Sequence, residues 1–438
     1  MMKLCFECSE YPPGLHGGIG SLVQILARGF VKAGHEVRVV GLYPASCNAP
    51  AFEEDCGVKV WRLRIPSYRC GWLSARRRLF ALVQSWCRSG DVELIEVPDW
   101  NAPAAYWPTL PVPIVVRLNG SASYFLSERG RRPQWLTFMM ERASIRRGDF
   151  VCSSSCYLGM RTTSLFHLSS TPDALIYNPV DVPDPIPGIE RDPHMVVFAG
   201  TLTEKKGVLS LVKCWPEVKE AYPEATLHIW GKDGKAEGGG SMRHQLSALL
   251  PAAATDSVHF HEHVPLERLL DVFQTAGMAV LPSYAEGFAL MPLHAMAAGC
   301  PTIYTTRGSG PELIDHGNNG LLVDPGRPEE IAGAILALLR DRDLATRLGE
   351  KGRRHVTERF SWQVLRAQNE AFYLRCMEQF RKNGYKSIKA RTRDASSVAF
   401  GHLLDQEKEQ VPDSMRQVHG ADSGTVTKPA QGLTLRDG

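Results

Sequence analysis

The sequence predicts an α/β protein of two doubly wound, Rossmann-like parallel-sheet domains facing each other across a cleft. Three observations carry that expectation. The chain has 438 residues, too many for one ordinary core of ~100–200 residues. Short apolar runs alternate with amphipathic stretches of helical period, the pattern of parallel sheets covered by helices on both faces. Finally, residues 178–188, NPVDVPDPIPG, are rich in proline and cannot be helix interior or central strand. After them the alternation starts again, so they predict an interdomain linker.

The elements follow in order. Residues 3–8 read as a buried strand, residues 17–20 as a glycine turn, and Leu22, Val23, Ile25, Leu26, Phe30 and Val31 as the apolar face of a helix that Gly34 stops. Residues 36–41 then give the second strand, completing a strand, glycine loop, helix, strand unit. Further strands are expected at 58–61, 92–95, 113–118, 150–152 and 174–177. Beyond the linker come a strand at 194–199, a turn at Gly200, a helix at 207–221 and strands at 225–230 and 258–260. A helix at 266–275, a strand at 279–281, a helix at 292–298 and strands at 301–304 and 320–323 complete the second sheet. Residues 328–341 and 361–382 read as closing helices, and from Lys386 the chain turns polar and aperiodic, which predicts a disordered tail. The expected division is a first domain at 1–180, a second at 181–360, a closing helix at 361–385 and the tail at 386–438.

Composition narrows the class. Hydrophobic residues make up 44% and charged residues 22%, close to the globular average, which excludes collagen-like, wholly disordered and membrane-spanning chains. No window holds the ~18 apolar residues a spanning helix needs, and Glu7 and Glu10 interrupt any signal-peptide core, so a cytoplasmic location is expected. Eleven cysteines without dense spacing predict reduced thiols rather than a disulfide framework. His259, His261 and His263 would share one face of a strand and could hold a metal, but a half-exposed strand face is the plainer account.

Charge is uneven. Residues 1–180 carry 20 Lys/Arg against 14 Asp/Glu, and residues 181–438 carry 30 against 33. Arg76, Arg77, Arg78, Arg129, Arg131, Arg132, Arg146 and Arg147 supply much of the excess. They suit either a solvated basic face or contact with an anionic membrane or acceptor. Aromatics do not interleave with them, which argues against nucleic acid.

The ligand signals lie at strand ends. Gly14 to Gly20 lacks both the dinucleotide spacing and the lysine of a nucleotide-phosphate loop, yet its glycines let backbone amides approach a phosphate or sugar. Gly200-Thr201-Leu202-Thr203-Glu204-Lys205-Lys206-Gly207 puts a lysine just before a helix, suited to a diphosphate. Glu286-Gly287-Phe288-Ala289-Leu290-Met291 places a carboxylate on a loop whose last amides open a helix, where the dipole favours an anion.

Taken with Gly17-Gly18-Ile19-Gly20, Tyr177-Asn178-Pro179-Val180-Asp181, the run from Glu286 to Pro301, Gly308-Ser309-Gly310-Pro311-Glu312-Leu313-Ile314 and Asn319-Gly320-Leu321-Leu322-Val323, these segments resemble a retaining glycosyltransferase of the GT-B fold, family 4, also called glycosyl transferase group 1. The resemblance covers about residues 3–380. It implies an acceptor-binding N-terminal domain, a C-terminal domain that binds a nucleotide sugar, no metal and no cofactor. It places Lys206 and the amides of Phe288, Ala289, Leu290 and Met291 on the diphosphate, Glu286 on the donor-sugar hydroxyls, Gly231 and Val264 near the base, and Gly18 against the donor or acceptor.

Three positions depart from the family pattern. His294 stands where a second carboxylate normally holds the ribose, Thr201 where an arginine meets the diphosphate, and Asn119 where a histidine follows an N-terminal strand. Asn119 can hydrogen-bond a sugar hydroxyl but cannot shuttle a proton. The expected activity is transfer of a sugar from a UDP-, GDP- or ADP-linked donor to a lipid-linked, polysaccharide or small-molecule acceptor. A degenerate nucleotide-sugar binder is the alternative, and a nucleotide-sugar 2-epimerase ranks below it.

Overall fold

The computed structural model describes residues 1–14, 17–236 and 238–391, with backbone alone over 383–391. The first sheet has eight strands: β1 (Lys3–Glu7), β2 (Glu36–Tyr43), β3 (Phe52–Asp55), β4 (Val58–Arg64), β5 (Leu94–Pro98), β6 (Ile114–Leu118), β7 (Phe150–Ser153) and β8 (Ala174–Leu175). Their order is β3-β4-β2-β1-β5-β6-β7-β8, parallel throughout except for β3 on β4. The second sheet has six parallel strands: β9 (Asp192–Ala199), β10 (Thr226–Trp230), β11 (Val258–His261), β12 (Ala276–Leu281), β13 (Thr302–Thr305) and β14 (Leu321–Val323). Their order is β11-β10-β9-β12-β13-β14. Strand order reverses at β1 in one sheet and at β9 in the other, and ligands of such sheets bind at those reversals, outside the carboxyl ends of the strands.

Burial on both faces explains the continuous apolar runs. In β1, Leu4 and Phe6 join one core with Leu26, Phe30 and Val39, while Cys5 points to the opposite core with Val40, Leu79, Val83 and Ile95. The second domain packs Val196, Phe198, Trp215, Leu227, Ile229 and Val280 into one cluster. The closing helix Trp362–Arg391 returns to the first domain, where Phe372, Tyr373, Cys376 and Met377 enter the core of Leu4 and Phe6. Its polar anchor is a buried network. Arg117 donates to both oxygens of Glu96 at 2.7 and 3.0 Å and to Asn369 Oδ1 at 2.6 Å, and Tyr373 donates to Glu96 at 2.5 Å. The two chain crossings between domains pair with each other, since Val180 N donates to Phe360 O and Trp362 N to Val180 O.

Several expectations change. The strand expected at 92–95 is Leu94–Pro98, because Val92 N is still bonded to Trp86 O at the end of the preceding helix and the approach to β1 begins only with Glu93 N on Lys3 O. The antiparallel β3 and the helix Arg342–Arg359 were not expected. Asp341 is the N-cap of that helix, accepting from Leu344 N at 2.8 Å. Residues 386–391, expected in the tail, continue the closing helix; the rest of that tail lies outside the described residues.

The basic face is also smaller than expected. Arg76 and Arg147 are buried, with guanidinium groups on the carbonyls of Ala102, Pro103 and Ala105 and of Trp107 and Pro108. All eleven cysteines are free. Among the described residues, no helix is long and apolar enough to cross a membrane, and no three His, Cys, Asp or Glu residues are grouped to hold a metal. His259 and His261 instead stack with His228 and Trp230 on one face of β10 and β11.

Candidate active site

The site grows from the end of β9. After Ala199 the chain turns through Gly200 and a single 3₁₀ turn, Glu204–Lys206, into the helix Val208–Ala221. Gly207 makes the turn possible: its φ is +72°, and a Cβ there would lie 1.8 Å from Pro282 O. That close approach sets Lys206 against the loop after β12. Lys206 Nζ reaches Glu286 Oε1 at 2.5 Å. The Glu286 side chain is 8% exposed and that of Lys206 28%. Burial alone would raise the Glu286 carboxyl, but the ammonium groups of Lys206 and Lys205 outweigh it and hold Glu286 below the usual carboxylate range.

Lys205 was not expected in the site. Its ammonium sits 3.6 Å from the centroid of the Phe125 ring, contributed by the first domain. Burial lowers its pKa, and Glu286 opposes that shift. The pairing joins neighbours 80 positions apart in sequence, so no local signal marks it.

The Glu286 loop is also the seam between domains. Tyr124 Oη donates to Glu286 O at 2.9 Å and Ser155 Oγ to Gly287 O at 2.8 Å. A Cβ on Gly287 would lie 2.5 Å from Asn119 O, so a glycine is needed where the two backbones meet. Nearby, Glu312 accepts from the amides of Cys156 and Tyr157, both at 2.8 Å, at the start of the helix Cys156–Leu165. A carboxylate from the second domain thus meets the positive end of a first-domain helix. Glu312 lay within a family motif, but its role needed the folded interface to be seen.

The other expected residues fall into two groups. Close to the seam are Asn119, half-buried with its Oδ1 3.4 Å from Asn178 Nδ2, and Phe288, Ala289 and Leu290, which lead into the helix Leu290–Ala297. Phe288 stacks on Tyr177 at 5.5 Å. His294 lies in that helix, is 2% exposed and has no partner for Nδ1; burial pushes its pKa down to about 4, so it is a neutral imidazole. At the other end of the site, Gly231 has φ +150°, and a Cβ on it would lie 1.9 Å from Gly200 O. The turns after β9 and β10 therefore touch. Thr201 is exposed beside them, and Val264 packs on the cluster of Val197 and Ala199. Gly18 opens the helix Gly18–Lys32, exposed, with nothing within 4 Å of a built Cβ.

On the first-domain side, two adjoining hollows, each with room for about one water, lie at the ends of β1, β5 and β6, sharing Glu7, Ile19 and Pro98. Asn119 lines one of them, so they border the contact between Asn119 and Gly287.

Comparison with known proteins agrees with this architecture. The family Glycosyl transferases group 1 matches residues 184–355, and the Glycosyl transferase 4-like domain matches residues 17–159. An uncharacterized glycosyltransferase of Methanocaldococcus jannaschii is 26% identical over 400 residues, covering 86% of this chain and 99% of its own. A GDP-mannose-dependent alpha-(1-6)-phosphatidylinositol monomannoside mannosyltransferase of Mycobacterium tuberculosis is 30% identical over 275 residues, covering 58% of this chain and 69% of its own. Among solved structures, sucrose-phosphate synthase from Thermosynechococcus elongatus superimposes with a TM-score of 0.71 at 19% identity, covering 86% of this chain and 100% of its own. The two parallel sheets are the GT-B arrangement, and the chain belongs to the glycosyl transferases group 1.

Proposed function

We propose that the protein transfers a sugar from a nucleotide-sugar donor to a hydroxyl of a lipid-linked, polysaccharide or small-molecule acceptor, with retention of anomeric configuration and without a metal or cofactor. The observation that carries this reading is the Lys206–Glu286 pair at the domain seam. A half-buried ammonium held by a buried carboxylate is a ready site for a diphosphate. When the donor enters, its phosphates compete for Lys206, with Lys205 adding positive potential, and Glu286 turns to accept sugar hydroxyls. The amides leading into Leu290–Ala297 add donors at a helix start. As the bond between the sugar C1 and the diphosphate oxygen breaks, charge builds on the leaving group, and preorganised cations stabilise it there. The acceptor oxygen bonds to C1 on the same face, and its proton passes to the departing diphosphate. Neutral His294 suits a ribose hydroxyl through an imidazole nitrogen. The dependence of the mycobacterial relative on GDP-mannose supports a nucleotide-sugar donor.

Peripheral contact with an anionic membrane belongs to the same proposal. Trp72, Leu73, Trp135 and Leu136 are exposed at the starts of two first-domain helices, with Arg131 and Arg132 beside the second. Sedimentation with anionic vesicles at low salt tests it, and no binding there rejects it.

The deciding experiment incubates the protein with UDP-, GDP- and ADP-sugars in turn and follows thermal stability and released nucleoside diphosphate. Release with one donor, lost in Glu286→Ala, establishes transfer or hydrolysis and names the donor. Binding without release, even with crude acceptor extracts, favours the degenerate binder; no binding to any donor rejects the site.

A further inference from the structure

Three of the contacts between the domains come from one short segment of the first, residues 119–125. Asn119 presents the backbone oxygen that faces Gly287, Tyr124 bonds the carbonyl of Glu286, and the ring of Phe125 lies under the ammonium of Lys205. The segment is the end of a loop and the start of the seven-residue helix Ala122–Glu128, which is too short to be stable by itself.

Two buried carboxylates hold it. Asp99, directly after β5, accepts from Asn119 N at 2.9 Å through one oxygen and from Gly120 N at 3.1 Å through the other. Glu141, in the middle of the helix Trp135–Arg147, accepts in the same way from Ala122 N at 2.9 Å and Ser123 N at 3.1 Å. Between the two pairs, Ser121 Oγ accepts from Tyr124 N at 3.2 Å. Five of the six amides from 119 to 124 therefore end on side chains no more than 1% exposed. Burial pushes the Asp99 carboxyl up to about 7, the Asn119 amide opposing the rise and the charge of Glu141 adding to it. A carboxyl raised in the folded state above its unfolded 3.8 favours folding most in acid, and that contribution is gone once pH has risen through 7. Asp99 is thus poorly suited to stabilising the fold at neutral pH, while its two oxygens fix where one backbone segment lies.

We propose that Asp99 and Glu141 are positioning residues for sugar transfer: together they clamp residues 119–124, and the clamped segment holds the Glu286–Gly287 loop and Lys205 in the geometry that the chemistry needs. The proposal rests on the glycosyl-transfer reading, while the clamp itself can be measured without turnover. Neither carboxylate has to touch the donor. Each acts through the backbone of the segment, and the segment acts through Asn119 O, the Tyr124 phenol and the Phe125 ring. A displacement of about 1 Å at a reacting centre lowers a rate by up to ~100-fold. Replacing one carboxylate oxygen by an amide nitrogen sets donor against donor and frees the segment to move by such amounts.

The test compares Asp99→Asn, Glu141→Gln and the milder Ser121→Ala in the full chain at about pH 8, with Val83→Ala, in the core of the same domain, as the control. Hydrogen exchange is read over residues 283–290 of the second domain. Exchange there should quicken at least about fivefold in Asp99→Asn and Glu141→Gln and about twofold in Ser121→Ala, with the strands of the second sheet unchanged. With a donor that the parent turns over, kcat should fall at least about tenfold and donor KM rise only severalfold, because Lys206 and the amides leading into Leu290–Ala297 stay in place. The Tm of Asp99→Asn should equal or exceed that of the parent, and a fold no weaker with slower transfer is not what a purely structural carboxylate gives. In Asp99→Asn combined with Glu141→Gln, the loss in kcat should match the larger single loss rather than the product, since both groups act on one segment. Faster exchange confined to 119–128, a kcat loss that Val83→Ala shares, or single losses that multiply in the double variant overturns the proposal. If no donor gives nucleotide release from the parent, the transfer reading falls, and exchange over 283–290 still decides the clamp.

Discussion

Tyr124 and Glu286 are joined across the domain boundary: the phenol of the first donates to the backbone carbonyl of the second at 2.9 Å. The residue whose side chain pairs Lys206 is thus held through its main chain by the opposite domain. Tyr124→Phe should leave the fold intact and cost about 1 kcal/mol of closure. The expected result is a several-fold rise in donor KM, measured by steady-state nucleotide release, with the Tm nearly unchanged.

Separating the charged pair should affect turnover and stability differently. Glu286→Ala and Lys206→Ala should each cut turnover more than tenfold, corresponding to the loss of roughly 1.5–3 kcal/mol of charge-assisted contact. Lys206→Ala should also destabilise the second domain, because it leaves a buried carboxylate without its main partner. Lys206→Met combined with Glu286→Gln should recover stability without activity. Calorimetry alongside a nucleotide-release assay separates the two effects, and unaltered turnover in both single variants removes these residues from the site.

Gly287 should not tolerate a methyl group. Because its Cβ would lie 2.5 Å from Asn119 O, Gly287→Ala should hold the domains apart. The expected result is native far-UV circular dichroism, an increased radius of gyration by small-angle scattering, and turnover reduced at least tenfold. A closed, active Gly287→Ala protein would show that the seam yields more readily than its geometry implies.

His294 gives the stability a pH dependence of known sign. Its folded pKa lies near 4 against 6.5 in the unfolded chain, so the unfolded state binds the extra proton between those values. The contribution is complete above pH 6.5 and is lost as pH falls toward 4, by up to about 3 kcal/mol. Glu7, with its raised carboxyl, works in the opposite sense, favouring the folded state below its unfolded value of 4.5 and less so as pH rises through 7. Chemical denaturation from pH 4 to 7 should therefore show a shallower acid limb in His294→Gln than in the parent.

Removing Arg117 should loosen the closing helix. Arg117→Met strands Glu96 in the core, with Tyr373 as its remaining close donor, which should cost about 3–5 kcal/mol. Hydrogen exchange should rise first along 362–377, and Glu96→Gln in the same background should restore part of the protection.

Much of the fold was legible because burial on both faces writes parallel strands as apolar runs, as in Leu4, Phe6, Val39 and Val280. What escaped was set by partners distant in sequence. The edge strand Phe52–Asp55 carries an exposed polar pattern, and the helix Arg342–Arg359 has few apolar residues to mark its period. Lys206 and Glu286 could be found because each sits at a strand end with a glycine beside it. Lys205 could not, since it is defined by Phe125 of the other domain. Nor could the committed state of Arg76 and Arg147, whose carbonyl partners lie more than 25 positions away.

The return of the closing helix to the first domain also orders events during synthesis. Phe372, Tyr373, Cys376 and Met377 fill the core that Leu4 and Phe6 begin, so the half of the protein made first stays unfinished while the whole of the other half emerges. At roughly 5–20 residues per second the ribosome needs tens of seconds to cover that distance. The second domain, whose core cluster closes with Phe360 and Leu365, can reach its native packing first, and the nascent first domain waits, its apolar wall uncovered, for the last helix to arrive.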